Sequence, residues 1–230
     1  MNDSNQTYPS PLQQFADLAS SDELDLTQMG LLIALTEYPN LDIKVERGYL
    51  DSLAEGVSRR VEEQGDLLGK ANVLSEYLFD EVGFSGDQEN YYDPRNSYLN
   101  DVLERRRGIP ITLSLVYMEV GKRLGMDLEG VGMPGHFLVR VRSSQDEVLV
   151  DPFHRGIFIS EQECAIRLQQ FVGETVSWDR RYVDGVSDRE LIMRKLRNLV
   201  AIYSSRKDHI RIKTLEEWMD ALRVPNSDKY

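Results

Sequence analysis

The sequence predicts an α+β fold with a helical N-terminal half, a small antiparallel sheet and a C-terminal helical pair. Apolar side chains recur at helical spacing between residues 12 and 82. Residues 136–141 and 148–151 alternate instead, and a four-residue polar turn separates them, which indicates two paired strands. Helical spacing returns after residue 160. Helices packed on an antiparallel sheet are typical of the α+β class.

The composition is that of a globular protein. The chain has 230 residues, of which 41% are hydrophobic and 29% charged, enough to bury a substantial core. The formal net charge of −12 argues against non-specific binding to nucleic acids or anionic membranes, because both require a cationic surface. Cys164 is the only cysteine, so an intrachain disulfide is excluded and a reducing compartment is expected.

The sequence carries no sign of membrane insertion or export. Residues 1–6 lack the basic and apolar regions of a signal peptide. No apolar run approaches the length of a membrane span. We therefore expect a cytoplasmic protein without membrane contact, and we predict no cofactor.

The N-terminal half is predicted to be a series of helices after a short tail. Residues 1–11 are polar, contain two prolines and predict a flexible tail. Asp25 precedes a helical repeat and is expected to cap it. Apolar side chains at helical spacing predict helices within residues 12–38, 42–65 and 70–82.

Two further helices meet at an arginine-rich junction. Asn96 or Ser97 is expected to cap a short helix that ends in Arg105–Gly108, because cations and a glycine favour a helix end. The next helix, residues 110–124, carries its apolar side chains on one face. Gly125 is expected to end this central helix.

A histidine and an aspartate stand fifteen positions apart on the two predicted strands. His136 follows a Pro-Gly turn, and Asp151 ends the second strand. If residues 143–146 form the turn, Arg142 faces Glu147, and His136 lies diagonally from Asp151 on the same sheet face. A histidine oriented by a carboxylate supplies two members of a triad of nucleophile, base and orienting group.

The rest of the sequence returns mainly to helices. A third short strand is predicted at residues 156–159, and Ser160 begins a capping-box motif that opens a helix. Asp188 begins a longer helix. Thr214 begins a second capping-box motif, which opens a last helix that Pro225 ends.

Three blocks of the sequence resemble one known family. Residues 96–114 (NSYLNDVLERRRGIPITLS), 130–140 (GVGMPGHFLVR) and 151–153 (DPF) are similar to the SirB family of transglutaminase-like bacterial proteins. The resemblance implies a transglutaminase-like, papain-like core over residues 12–187. It also implies a tetratricopeptide-like helical pair over residues 188–230, docked on that core, and a loose link to bacterial gene regulation.

The resemblance also implies roles for individual residues. The wider superfamily resembles papain-type enzymes, in which a cysteine begins the central helix while the histidine and aspartate of the triad occupy adjacent strands. His136 and Asp151 match these last two roles. Counted back from Gly125, the cysteine position falls on or next to Pro110, which offers no nucleophile. Cys164 lies far downstream and is predicted to be a buried, small hydrophobic residue.

The first functional hypothesis is a non-catalytic or cryptic transglutaminase-like domain, in effect a pseudoenzyme. It acts as a binding or regulatory module for an unidentified protein, peptide or small ligand. The ligand is expected in a cleft around the residual dyad and nearby motif residues, namely His136, Asp151, Asn96, Tyr98, Pro110 and Gly135.

The second hypothesis is an amide hydrolase or acyl transferase. Thr112 or Ser114 would be the nucleophile, with His136 as base and Asp151 as orienting group. Both hydroxyls lie in the first turns of the central helix, where the helix dipole favours an oxyanion. Hydroxyls at such positions more commonly cap the helix or bond locally.

The third hypothesis is an interaction scaffold whose surface from Tyr203 to Trp218 binds a partner protein. No metal site is predicted, since His154 and His209 lack helical or hairpin spacing to His136. His154 could approach the dyad only through the strand end at Asp151.

Overall fold

The computed structural model describes residues 9–172 and 177–223. It has the predicted α+β architecture, with helices surrounding a five-stranded antiparallel sheet. Most of the predicted tail and the predicted helix end at Pro225 lie outside the described residues. Within the part of the chain that is described, no helix combines the length and apolarity that crossing a bilayer demands.

Four helices form the N-terminal half, and aspartates begin three of them. These helices are α1 (Pro11–Ala19), α2 (Leu26–Ala34), α3 (Ile43–Glu62) and α4 (Leu67–Ser75), the last continued by a π-helical turn at Glu76–Glu81. The predicted cap at Asp25 is confirmed, because its carboxylate accepts the Gln28 amide at 2.8 Å. Such a bond satisfies one of the free amides at a helix start.

The arginine-rich junction differs from its prediction at both ends of the short helix. Helix α5 (Leu99–Arg105) begins after Tyr98, whose side chain makes no capping bond, so the predicted cap at Asn96 or Ser97 is wrong. Residues Pro94–Asn96 form a separate 3₁₀ turn. Arg106 rather than Gly108 ends the helix, in the left-handed conformation with φ of 58°. A glycine is therefore not needed to stop this helix.

The junction continues into the central helix. Strand β1 (Ser85–Gly86) pairs in parallel with β2 (Arg107–Gly108). Helix α6 (Pro110–Arg123) follows, and its first residue is a proline, which suits the first turn because that amide has no partner within the helix. Gly125 adopts a positive φ of 72° just after α6.

Alanine substitutions at two glycines are expected to change the free energy of unfolding in opposite directions. A Cβ at Gly125 would meet nothing within 4 Å, so Gly125→Ala is expected to lower the free energy of unfolding by about 1 kcal/mol through the left-handed backbone alone. Gly48 is exposed inside α3 and equally unhindered, so Gly48→Ala is expected to raise it by about 0.5–1 kcal/mol. Urea unfolding measures both, and shifts of the same sign would contradict this account.

The main sheet consists of β3 (Asp127–Val131), β4 (Leu138–Arg142), β5 (Glu147–Asp151), β6 (Ile157–Ile159) and β7 (Gly185–Val186), in the order β6-β5-β4-β3-β7. The predicted register is confirmed, because Arg142 pairs with Glu147. His136 lies in the turn before β4 rather than in the strand. The short edge strand β7 was not predicted.

The two faces of this sheet pack against different helices. Phe137, Val139, Val141 and Val150 join the large core that contains α6. Leu138, Leu149 and Ile159 face the other way, into a smaller core with Cys164 and Leu168 of helix α7 (Glu161–Val172). Because strand side chains alternate, Asp151 shares the face of Leu149. The aspartate of the dyad is thus directed to the α7 side of the sheet.

The C-terminal helices α8 (Asp188–Ser205) and α9 (His209–Arg223) pack against each other and, through α9, against α1. Helix α9 begins before the predicted capping box at Thr214, so that predicted start is wrong. The rings of Phe15 and Trp218 approach to 4.8 Å between centroids. Tyr203 and Trp218 are each only 4% exposed, so the two side chains that bounded the predicted scaffold surface belong to the core.

Candidate functional site

The structure places the two predicted dyad side chains in hydrogen-bond contact. His136 Nε2 lies 2.9 Å from Asp151 Oδ2. Gly135 adopts a positive φ of 74°, and the His136 amide donates to the Met133 carbonyl at 3.2 Å, closing the turn that aims the imidazole. The turn before β4 and the end of β5 are brought together by the hairpin register.

Asp151 also holds two further side chains. His154 Nδ1 lies 2.8 Å and Arg167 Nη1 2.6 Å from the same carboxylate oxygen, Oδ2. The other oxygen, Oδ1, accepts the His154 amide at 3.2 Å, which makes Asp151 the cap of a 3₁₀ turn at Pro152–His154. Two imidazoles and one guanidinium therefore converge on one fully buried carboxylate.

Sequence reasoning missed Arg167 and mentioned His154 only as a residue able to approach Asp151. For His154 a local signal exists, because Asp-Pro at a strand end favours a tight turn that returns the residue three positions later to the carboxylate. Arg167 has no such signal, because it reaches Asp151 only through the packing of α7 on the sheet.

Opposing effects set the charge state of Asp151. Burial raises the pKa of its carboxyl, but hydrogen bonds from the imidazoles of His136 and His154 outweigh burial and hold the pKa well below its usual range. The carboxylate is therefore ionised, and the positive charge of Arg167 balances it. His136 uses Nε2 and His154 uses Nδ1 for Asp151, which leaves the opposite ring nitrogen of each histidine available to a ligand.

A cavity of about 340 Å³ opens beside this cluster. His136, His154, Arg167 and Gln170 supply its polar lining. Three buried side chains of the smaller core form an apolar wall, namely Met133, Ile159 and Leu168. A concave, partly apolar space with a few convergent polar groups is the usual form of a small-molecule site.

Of the four residues predicted to bind a ligand beside the dyad, Gly135 alone borders this cavity. The amide of Asn96 donates to Asp87 at 3.2 Å and to the Asn90 carbonyl at 2.8 Å. The Tyr98 hydroxyl lies 3.1 Å from that of Tyr203. The structure therefore does not bring Asn96 and Tyr98 to the cavity beside His136 and Asp151, because both side chains connect other parts of the fold.

Neither hydroxyl proposed as a nucleophile bonds to His136. Ser114 Oγ donates to the Phe137 carbonyl at 3.4 Å, and Thr112 Oγ1 has no hydrogen-bond partner among the described residues. Both side chains are fully buried. Cys164 is also fully buried, as predicted, and burial raises the pKa of its thiol to about 11. This thiol is therefore protonated and inert near neutral pH.

One set of donors resembles a metal site by residue type. His136, Asp151 and His154 offer ligand atoms within 4.8 Å of one another, and two histidines with a carboxylate suit several transition metals. However, Arg167 Nη1 lies 2.6 Å from Asp151 Oδ2 and 3.2 Å from His154 Nδ1. A guanidinium thus already faces two of the three ligand atoms and acts as the cation of the cluster.

Comparison of the sequence with known proteins identifies a family. The sequence pattern of the transglutaminase-like superfamily matches residues 46–197, which include all four residues of the cluster. No solved structure matches the chain.

Individual proteins are also similar to this chain over much of its length. A UPF0162 protein of Xylella fastidiosa (strain 9a5c) is 38% identical over 85% of this chain and 70% of its own length. A UPF0162 protein of Vibrio cholerae is 26% identical over 76% of this chain and 65% of its own. F-box only protein 21 of Mus musculus is 35% identical over 49% of this chain but only 19% of its own. The chain therefore belongs to the transglutaminase-like superfamily and, within it, to the UPF0162 family.

Proposed function

We propose that this domain is a binding module that keeps a transglutaminase-like frame without its acyl-transfer chemistry. The observation that carries the proposal is the use of Asp151, whose carboxylate holds His136, His154 and Arg167 around a cavity. Among the described residues, no hydroxyl or thiol forms a hydrogen bond with the imidazole of His136. The ligand site is the cavity of about 340 Å³.

The absence of a paired nucleophile is what argues against catalysis. Acyl transfer needs a nucleophile within hydrogen-bond reach of the base and open to the substrate. Thr112 and Ser114 are both fully buried, and the central helix begins with Pro110. The amide hydrolase or acyl transferase hypothesis therefore has no support from the positions of these side chains.

The shape and polarity of the cavity favour binding. Its volume falls at the lower end of the range for small-molecule sites, roughly 300–1,000 Å³. Its polar groups are held by a shared buried carboxylate, so they are arranged before any ligand arrives. Preorganised groups favour affinity, because less side-chain entropy is lost on binding.

Finer features of this proposal derive from the sequence. They are the SirB assignment, a regulatory role in the cytoplasm, a protein or peptide partner, and the tetratricopeptide-like character of α8 and α9. The docking of these helices through Phe15 and Trp218 is compatible with such a pair, since a single repeat must bury its apolar face on a neighbour.

Covalent probes test the absence of an active nucleophile. We expect a fluorophosphonate and iodoacetamide to leave the folded 230-residue chain unlabelled over hours, as measured by intact-protein mass spectrometry. Urea-unfolded protein, in which Cys164 is accessible, serves as the positive control for iodoacetamide. Fluorophosphonate labelling that disappears in Thr112→Val or Ser114→Ala would overturn the proposal in favour of the enzyme.

A fragment screen tests binding itself. The chain has only three histidines, so the imidazole ¹⁵N signals report separately on His136, His154 and His209. We expect some fragments of a mixed neutral and charged library to shift the signals of His136 and His154 while His209, on α9, stays unchanged. A library that shifts neither cavity signal would count against a binding module at this site.

A further inference from the structure

We infer that the cavity takes a small organic monocarboxylate, whose carboxylate meets His136, His154 and Arg167 and whose apolar body packs on Met133, Ile159 and Leu168. The inference rests on the proposed binding function and names the chemical class of its ligand. It follows from the donors of the cluster that remain free, from the charges of the cluster and from the apolar side chains that line the same cavity.

The first argument concerns which atoms a ligand would meet. Asp151 is completely buried, whereas the side chains of His136, His154 and Arg167 are 17%, 39% and 33% exposed. A ligand in the cavity therefore contacts the nitrogen-bearing groups and not the carboxylate behind them. Only Nη1 of Arg167 is engaged by Asp151, so the guanidinium keeps N–H groups that suit a carboxylate.

The second argument is the net charge of the cluster. Asp151 contributes one negative charge and Arg167 one positive charge, so these two fixed charges cancel. A single negative charge on the ligand is therefore tolerated, while a dianion meets a chain with a formal net charge of −12 and no second fixed cation among these four residues. This balance favours a carboxylate over a phosphate.

The imidazoles add polar contacts for the ligand. The charged groups that face them are Asp151 of β5 and Arg167 of α7. Each ring turns one nitrogen towards Asp151, and its other nitrogen remains for a hydrogen bond with the ligand.

The third argument is the apolar wall. Met133, Ile159 and Leu168 are 2%, 5% and 1% exposed and belong to the smaller core. Because these side chains are already packed, the hydrocarbon surface that binding removes from water is mainly that of the ligand. An acid with an aromatic or aliphatic body therefore fits this wall better than a purely polar acid.

The test compares an acid with its uncharged amide on the 230-residue chain. We titrate 4-phenylbutyrate, 4-phenylbutanamide and inorganic phosphate, and follow the imidazole ¹⁵N signals. We expect 4-phenylbutyrate to shift the His136 or His154 signal in a saturable manner. We expect 4-phenylbutanamide to bind at least about tenfold more weakly, because it lacks the charge-assisted hydrogen bond.

Two arginine variants serve as a matched pair. Arg167→Gln is expected to weaken 4-phenylbutyrate binding by about tenfold or more and to leave the amide unchanged. Arg155→Gln removes an exposed arginine that pairs with Asp80 outside the cavity, and it should change neither affinity. If Arg167→Gln fails to fold, His154→Gln provides the same comparison at a more exposed residue.

The outcomes separate this inference from the function on which it rests. Equal binding of acid and amide, or tighter binding of inorganic phosphate, would overturn the monocarboxylate while leaving a binding module in place. The monocarboxylate would also be overturned if 4-phenylbutyrate did not bind while neutral fragments shifted the signals of the same histidines. Failure of every fragment, or labelling by the covalent probes, would instead remove the binding module itself.

Discussion

Asp151→Ala is expected to lower the free energy of unfolding by about 3 kcal/mol. The substitution removes the one carboxylate to which His136, His154 and Arg167 donate. Breaking a buried ion pair by deleting one partner costs about 3–5 kcal/mol. The lower end applies here, because Arg167 and His154 are partly exposed and can recruit water. Urea unfolding of the two proteins at pH 7 measures the difference.

The control for this variant is Asp146→Ala. Asp146 is an exposed aspartate in the turn between β4 and β5, so its replacement is expected to change stability by less than about 0.5 kcal/mol. If Asp151→Ala and Asp146→Ala lowered the free energy of unfolding equally, the contacts of His136, His154 and Arg167 with Asp151 would not contribute to stability.

The stability lost in Asp151→Ala is expected to become smaller as the pH falls. The pKa of the Asp151 carboxyl is held well below its ordinary value in the folded chain. A depressed carboxyl pKa stabilises the fold above the unfolded pKa, about 3.9, and that contribution declines as the pH falls towards the folded pKa. The stability gap between wild type and Asp151→Ala should therefore shrink below about pH 4. A constant gap between pH 7 and pH 3 would contradict the ionised state.

The second large effect is expected at Lys195. This lysine lies in α8, is fully buried and donates to the Ser97 carbonyl. Burial lowers the pKa of its amine from 10.5 to about 7. Because the unfolded chain holds the proton more tightly, the native state carries a penalty that is complete below pH 7 and disappears as the pH rises to about 10.5.

Lys195→Met is the variant that isolates this penalty. Its stability advantage over the wild type is expected to fall by on the order of 3–5 kcal/mol between pH 7 and pH 10.5, because each unit of pKa shift corresponds to 1.36 kcal/mol. The loss of the hydrogen bond to Ser97 lowers the stability of Lys195→Met throughout this window. Urea unfolding at four pH values across the window provides the measurement.

Lys122→Met is the matched control for the lysine. Lys122 lies on α6, and its side chain is 38% exposed, so the burial penalty that gives Lys195→Met its pH-dependent advantage is not expected for Lys122→Met. Parallel pH profiles for Lys195→Met and wild type would mean that the buried amine is not titrating as described.

The features that the sequence predicted well are those set by near neighbours. The cap at Asp25, the central helix from Pro110 and the strand pairing of Arg142 with Glu147 all depend on residues a few positions apart. Local hydrogen bonds and side-chain periodicity determine them. The start of α9 was misplaced at Thr214 because the helix already begins at His209, where the Asp208 carboxylate accepts the Arg211 amide at 3.1 Å.

The same distinction between local and long-range contacts applies to the residues of the site. From the sequence alone it followed that His136 and Asp151 meet, because a four-residue turn sets the hairpin register, and that proline begins the central helix. Only the tertiary structure decided that Asp151 is directed towards α7 and binds Arg167. The physical reason is that helix α7 covers one sheet face by burying Cys164 and Leu168. That packing joins residues sixteen positions apart across two elements, which no local pattern encodes.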